Sequence, residues 1–283
     1  MSSSSAGELK IQTDDRVALA GEQAGSGPVI VLLHGLSATR RYVVMGSRLL
    51  ERSGLRVLAY DARGHGRSSA PRDRRAYGYE RLARDLLAVL DSLSIERAVL
   101  AGASMGAHTI ARFALDHPAR VAALGLITPA YDPATYARSE AAYAAWDALA
   151  RGLREGGVEG FLAAYDLAAV PATWRPTVEK VLRQRLSAHD HPLAVADALE
   201  AVPRSRPFER IEELARISAP TLVVASRDEA DPAHPLAVGE RYAQAIPGAR
   251  LEVEEQGSPP RSPIAWQGGQ LSRLLTELAS RAA

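Results

Sequence analysis

The feature that most constrains the fold is a five-residue turn at residues 102–106, with the sequence Gly-Ala-Ser-Met-Gly. The apolar run at residues 98–103 predicts a buried strand, and the amphipathic pattern at residues 105–115 predicts a helix directly after it. A strand that passes straight into a helix needs a sharp, strained turn flanked by small residues. The turn therefore predicts that Ser104 stands at the amino end of a helix, where free amides and the helix dipole stabilise negative charge.

Short apolar runs alternate with longer helical patterns along most of the chain. Strands are predicted at residues 9–13, 17–21, 29–33, 56–60, 98–103, 121–126, 221–225 and 251–254. Helices are predicted at residues 41–52, 79–93, 105–115, 211–216, 236–246 and 265–279. This alternation is typical of βαβ units, so we expect an α/β fold with a mostly parallel sheet and helices on both faces.

The alternation stops between residues 129 and 206. Helical patterns follow one another there without a strand, at residues 139–155, 158–168, 177–186 and 193–202. We therefore predict a flexible tail at residues 1–7, a core formed by residues 8–128 and 207–283, and a helical lid, residues 129–206, inserted into that core.

Composition excludes several kinds of chemistry. The chain of 283 residues has no cysteine, which removes disulfides, thiolate catalysis and cysteine metal sites. Its net charge of +1 gives no sign of nucleic acid or an anionic membrane as a partner. No signal peptide pattern opens the sequence, and no apolar run approaches the ~18 residues of a membrane span. We expect a cytoplasmic protein that acts on a small molecule without cofactor or metal, and whether it forms a homodimer stays open.

Three motifs occur in a fixed order at the ends of predicted strands. They are His34-Gly35, Asp61-x-Arg63-Gly64-His65-Gly66-x-Ser68 and Gly102-x-Ser104-x-Gly106. Together they resemble the α/β-hydrolase superfamily, and within it the lidded esterases, lactonases, C–C bond hydrolases and cofactor-free haloperoxidases. The resemblance implies an α/β-hydrolase fold over residues 8–128 and 207–283, with Ser104 as the nucleophile at the tip of a nucleophile elbow.

Acyl transfer at Ser104 would need two hydrogen-bond donors aimed at the developing oxyanion. The amide of Met105, directly after the serine, is one candidate, and the amide of Leu36, just past His34-Gly35, is the other. His34 is a candidate substrate contact, with a structural role in its loop as the alternative. Trp146 and Trp174 of the lid are further candidates, and aromatic residues facing the serine would suit a neutral organic substrate.

In the superfamily a carboxylate follows a late strand, and here the strand at residues 221–225 leads into an acidic loop. Counting forward from Pro220 places the acid at Asp228 or Glu229. Counting back from residues 246–248 places it at Asp231, whose Asp-Pro-x-x-Pro context resembles the family pattern. The resemblance therefore favours Asp231, with Asp228 as the alternative.

The superfamily histidine should follow the last strand, but that position falls on Ser258 or Pro259, and neither can act as a base. A serine hydroxyl is a poor nucleophile without an adjacent base. His234, on the acidic loop, is the best substitute, although it could instead cap the helix that follows it.

Among the other histidines, His108 is expected to pack within its helix. His189 and His191 are expected in a solvated lid loop.

The sequence thus predicts a hydrolase of carboxylic esters or lactones of a small apolar molecule. The alternatives are hydrolysis of activated substrates only, or a ligand-binding or non-hydrolytic protein that has lost its histidine.

Overall fold

The computed structural model describes residues 7–136, 140–227, 233–253 and 268–282. Strands in these ranges are β1 (Gly7–Gln12), β2 (Ala18–Ala24), β3 (Val29–Leu33), β4 (Arg56–Tyr60), β5 (Ala98–Ala103), β6 (Val121–Ile127), β7 (Thr221–Ala225) and β8 (Arg250–Val253). Helices are α1 (Leu49–Arg52), α2 (Tyr79–Ser92), α3 (Met105–Asp116), α4 (Pro133–Tyr136), α5 (Glu140–Ala164), α6 (Arg175–Leu186), α7 (Pro192–Ala201), α8 (Leu236–Ala245) and α9 (Gly268–Ser280).

The strands form a single sheet in the order β1-β2-β4-β3-β5-β6-β7-β8. β2 runs antiparallel to both β1 and β4, and the remaining neighbours are parallel. This architecture confirms the α/β class and the mostly parallel sheet. The carboxyl ends of β3, β4, β5, β6 and β7 therefore lie along one edge of the sheet, which is where the loops of open α/β sheets bind ligands.

Helices cover both faces of the sheet because its central strands are apolar on both sides. Within β3, Val31 and Leu33 pack in the cluster that includes residues of α2, α3 and α8, while Ile30 and Leu32 pack with residues of α1 and α9. Successive strand residues point to opposite faces, so this five-residue run serves two cores at once. Burial on both faces holds the central strands in place, so that their carboxyl ends are aligned at one edge of the sheet.

Between β6 and β7 the described residues form helices α4 to α7 and no strand. A left-handed backbone at Gly157 (φ 58°) kinks α5 into two segments. The lid helices bury an apolar cluster of their own, which includes Leu153, Phe161 and Leu199, and Leu36 of the core packs against it. The lid is thus seated directly on the loop that follows β3.

Some predicted elements differ from those observed. The single helix expected at residues 41–52 is a 3₁₀ turn, Arg40–Tyr42, and the short α1. Met45 and Gly46 lie between them with positive φ, which no helix accommodates. The helix expected at residues 158–168 is the second segment of α5, and Gly7, expected in the tail, begins β1. Among the helices of the described ranges, none has both the length and the apolar character that a bilayer crossing demands.

Candidate active site

Ser104 lies at the junction of β5 and α3 with φ 50° and ψ −111°, a conformation that is strained for any residue with a Cβ. Its amide donates to Ile127 O at 2.9 Å, which ties the turn to β6. A Cβ at Gly102 would overlap the backbone of Gly106, and a Cβ at Gly106 would overlap the carbonyl of Leu33. The two glycines of the motif are therefore required by close backbone approach, and they leave the Ser104 side chain at the tip.

His234 lies beside this serine, with Nε2 2.9 Å from Ser104 Oγ. The histidine is half-buried and precedes α8, whose N-cap residue is Pro235 and which has no side-chain cap bond. The His234 side chain therefore contacts the serine through Nε2, and its role as base or as helix cap stays a prediction. The structure brings together the serine and the histidine that the sequence placed 130 residues apart.

Helix α8 is held in place by the loop after β6 and by β7. Tyr242 donates its hydroxyl to Tyr131 O at 3.0 Å, and Arg241 forms an ion pair with the buried Asp132. Gly239 packs closely on Ala225 at the end of β7. α8, which begins two residues after His234, is thus fastened at three points.

His108, one turn into α3, supports the same loop. Its Nε2 accepts from the amides of Ala130 and Tyr131, at 2.9 and 3.0 Å, so the ring proton lies on Nδ1, which donates to the Tyr79 hydroxyl at 3.0 Å. Burial, and secondarily the nearby His234, lowers the pKa of His108 to about 3. The ring is therefore neutral at physiological pH and packs between its helix and the β6 loop.

The loop after β3, residues 34–38, here called the β3 loop, runs past the serine. A Cβ at Gly35 would lie 3.4 Å from both Ala103 O and Ser104 Cβ, so the backbone here touches the elbow. Leu36 follows directly. Met105 is the first residue of α3, where an amide has no intrahelical partner. Both amides singled out as oxyanion donors are thus found at the same end of the sheet as Ser104.

The side chain of His34 is 2% exposed and engaged at both nitrogens. Nδ1 donates to Gly35 O at 2.8 Å, and Nε2 accepts from the amide of Ala62 at 2.9 Å. Burial lowers the pKa of His34 to about 3, so the ring stays neutral. These contacts correspond to the structural alternative and leave neither ring nitrogen open to a substrate.

The Asp61–Ser68 motif forms the turn that backs the β3 loop. Asp61 accepts from the amides of Arg40 and Arg67 and forms an ion pair with the Arg40 side chain. His65 is buried, and its Nε2 accepts from the amide of Ser37 at 3.3 Å. The motif therefore acts as a scaffold, as expected of a tight turn, and links the ends of β3 and β4.

Comparison with known proteins decides the family. A family model described as "alpha/beta hydrolase fold" matches residues 28–259. The chain belongs to the α/β-hydrolase fold family. The resemblance drawn from the three motifs is thereby confirmed, and the family supports a hydrolase.

Full-length relatives of this α/β hydrolase have several named activities. The protein named "Putative carbamate hydrolase RutD" from Variovorax paradoxus is 29% identical over 256 residues, which cover 90% of this chain and 92% of its own. A thermophilic esterase from Thermogutta terrifontis is 26% identical with a TM-score of 0.78, covering 98% and 99% of the two chains. The enol-lactonase from Burkholderia xenovorans is 28% identical with a TM-score of 0.68, covering 87% and 90%.

The remaining predicted site residues of the α/β hydrolase are two lid tryptophans and several residues outside the described ranges. Trp146 is half-buried and packs against the apolar lid cluster that also contacts Leu36, and Trp174 is half-buried at the start of α6. Asp228, Asp231, Ser258 and Pro259 lie outside the described residues. Within the described ranges, no cluster of three or more histidine, aspartate or glutamate side chains could hold a metal ion.

Sequence reasoning missed two lid residues of this α/β hydrolase. His189 was expected in a solvated loop but is buried, 8% exposed, and Arg185 donates from Nη2 to Leu36 O at 3.0 Å. His189 bonds to Ser37 and Gly66. No sequence signal marked these residues, because their partners are backbone groups that the fold brings near.

Proposed function

We propose that this α/β hydrolase cleaves a carboxylic ester or lactone of a small apolar molecule, with Ser104 as nucleophile and His234 as general base. The observation that carries the proposal is the distance of 2.9 Å between His234 Nε2 and Ser104 Oγ. That distance is within the hydrogen-bond reach that direct proton transfer requires. A serine with such a partner can be activated, whereas the binding-protein alternative offers no reason for the contact.

The reaction follows from this geometry. Ser104 Oγ attacks the substrate carbonyl carbon while its proton passes to His234 Nε2. The carbonyl oxygen becomes an oxyanion, which accepts hydrogen bonds from the amides of Leu36 and Met105. As the tetrahedral intermediate collapses, the protonated histidine gives its proton to the leaving alkoxide. Water then attacks the acyl-enzyme with His234 again accepting the proton, which releases the acid and restores the serine.

Asp231 is proposed as the carboxylate that orients the histidine, with Asp228 as the alternative. Both residues precede His234 on the loop between β7 and α8. A carboxylate that accepts from Nδ1–H would hold the tautomer in which Nε2 faces the serine unprotonated, and would stabilise the imidazolium that forms.

The proposed base stands on a different strand from the one where the superfamily places it. In the sheet order, β7 is separated from the serine strand β5 only by β6, and its carboxyl end lies on the same edge. A histidine on the β7 loop can therefore reach the elbow as well as one on the β8 loop. This explains how Ser258 and Pro259 can occupy the usual position without removing the base.

The substrate class draws support from the relatives and from the lid. Two structural relatives are named as an esterase and an enol-lactonase, and both cover most of this chain. The lid surface that meets Leu36 is formed by apolar and aromatic side chains, which favour a neutral substrate. A carbamate belongs in the substrate panel because of the full-length RutD relative.

The test combines labelling with kinetics. We expect wild type to react with a fluorophosphonate and to hydrolyse p-nitrophenyl acetate, and Ser104→Ala to do neither. His234→Ala should lower kcat by about 10³-fold or more, because it removes the base. His191→Ala is the matched control, since this exposed histidine has no side-chain cap bond to α7. A wild type that neither labels nor hydrolyses overturns the proposed function, and a fully active His234→Ala excludes His234 as base.

A further inference from the structure

Arg185, near the end of lid helix α6, reaches out of the lid to the β3 loop. Its Nη2 donates to Leu36 O at 3.0 Å and lies 3.3 Å from Ser37 Oγ. The guanidinium carbon stands 5.7 Å from the centre of the Tyr42 ring, which borders the same loop. One lid side chain thus binds both the backbone and the side chain of the segment that carries a proposed oxyanion donor.

His189 makes a second connection from the lid. Its Nδ1 accepts from the amide of Gly66 at 2.7 Å, so the ring proton lies on Nε2, which donates to Ser37 O at 3.2 Å. The amide of Asp190 donates to Gly66 O at 2.8 Å. The buried histidine therefore joins the lid, the β3 loop and the turn after β4.

Ser37 is the residue that these contacts restrain. Its φ is 59°, in the left-handed region, and the turn around it is closed by Ala38 N–H to Gly35 O at 3.1 Å. A serine is strained at this position, where glycine or asparagine is preferred. Such a conformation persists only when the surroundings determine it fully. Here the Ser37 amide is bound by His65, its carbonyl by His189 and its hydroxyl by Arg185.

We propose that Arg185, assisted by His189, is a positioning residue that aims the Leu36 amide at the oxyanion. The Leu36 carbonyl that Arg185 binds belongs to the peptide group next to the one whose amide would donate. Any rotation of the loop at Leu36 would turn that amide away from the reacting carbonyl. The seated lid thereby completes the oxyanion site as well as covering it. This inference rests on the proposed function.

The test compares two arginines of the same helix. Arg185→Met removes the contact, whereas Arg183→Met is the matched control because Arg183 pairs with Glu159 and Glu179 inside the lid. For p-nitrophenyl acetate we expect Arg185→Met to lower kcat by about 10- to 100-fold, with KM within about 3-fold of wild type. Arg183→Met should keep kcat within about 2-fold. Arg185→Lys retains a donor for Leu36 O and should recover most of the rate.

Inhibition by a transition-state analogue distinguishes a positioning role of Arg185 from a purely structural one. A trifluoromethyl ketone is attacked by the serine and forms an oxyanion. Its Ki should therefore increase in Arg185→Met by the same factor by which kcat/KM decreases. If Arg185→Met does not fold, His189→Ala takes its place, with an expected loss in kcat of about 3- to 10-fold.

The possible results separate the two hypotheses. An inactive wild type overturns the proposed function and this inference with it. An active wild type whose Arg185→Met variant matches Arg183→Met in kcat and Ki overturns the inference alone. A raised KM with unchanged kcat also overturns it, because Arg185 would then contact the substrate and not the loop.

Discussion

At Ser104 a strained backbone and a bonded side chain occur in one residue. The positive φ lifts the hydroxyl out of the sheet, and the contact with His234 Nε2 gives it a direction. Strain of this kind is retained only where neighbouring residues over-determine it. Because Gly102 and Gly106 have no Cβ, α3 and β3 can pack closely against the turn and hold Ser104 in its strained conformation.

This close approach predicts a large effect at Gly106. Gly106→Ala would drive a Cβ into the carbonyl of Leu33, and since backbone must shift to admit it, we expect a loss of about 2–4 kcal/mol in the free energy of unfolding. Gly269→Ala is the control, because nothing lies within 4 Å of its Cβ position in α9. That variant should be neutral or stabilised by up to about 1 kcal/mol. Urea denaturation measures both, and equal midpoints would contradict the prediction.

A second prediction concerns Arg63, which is fully buried. Its guanidinium bonds to Asp85 at 2.7 and 2.5 Å and to Asp15 at 2.8 Å. Arg63→Met leaves the buried Asp85 without its partner, so we expect a loss of about 3–5 kcal/mol in the free energy of unfolding. The double variant Arg63→Met/Asp85→Leu should regain a large part of this loss, because no buried charge is then left unpaired and the partly exposed Asp15 keeps Arg81 at 3.8 Å. A double variant that is as unstable as Arg63→Met would contradict this account.

At the scale of elements, the site depends on how α8 is fastened to the β6 loop. The hydroxyl of Tyr242 and the guanidinium of Arg241 bind Tyr131 O and Asp132 in that loop, while His108 holds the loop from α3. Three elements thus position the histidine that precedes α8. The proposed base is oriented by packing far more than by its own local sequence.

Removing one of these contacts should therefore change kcat more than KM. Tyr242→Phe removes the hydroxyl that donates to the Tyr131 carbonyl, and the loss of this buried hydrogen bond costs about 1–3 kcal/mol in the free energy of unfolding. We expect kcat for p-nitrophenyl acetate to fall about 3- to 10-fold as His234 shifts, with KM little changed. Tyr143→Phe is the control, because the Tyr143 ring packs under Arg204 in the lid. Equal kcat in the two variants would show that α8 does not depend on this bond.

The difference between local requirements and contacts between distant segments explains which features could be predicted from the sequence. Strands β3 and β4 coincide with the predicted residues, because runs buried on both faces are continuously apolar. The elbow was readable because its glycines are required locally. The break at Met45, the burial of His189 and the approach of His234 to Ser104 depend on contacts between distant segments, and neither apolar spacing nor turn composition records them.

At the scale of the whole molecule, four buried histidines join separate parts of the fold. His34, His65 and His189 connect the β3 loop, the turn after β4 and the lid, and His108 connects α3 to the β6 loop. Burial lowers the pKa of each, to about 3 for His34 and His108. All four are therefore neutral while the protein is folded at physiological pH.

The lowered pKa values of these histidines set the direction in which the stability of the protein changes with pH. The unfolded chain binds protons at these histidines below pH about 6.5, whereas the folded protein keeps His34 and His108 neutral down to about pH 3, so stability falls as pH decreases from 6.5 toward 3. The slope approaches about 1.4 kcal/mol per pH unit for each of His34 and His108. Urea denaturation at pH 7.5 and 5.5 measures it. His34→Asn should show a smaller slope than the wild type, and a midpoint independent of pH would contradict the prediction.

The contact between Ser104 and His234 also has a consequence for protein engineering. If serine, base and carboxylate all stand on the β5 and β7 connections, the β8–α9 connection holds no group that the proposed reaction consumes or restores. In a hydrolase with the histidine at its usual place, an insertion there would separate the base from the nucleophile. For this chain we expect a tag or linker inserted between β8 and α9 to leave the hydrolysis of p-nitrophenyl acetate intact, and an insertion between β7 and α8 to abolish it.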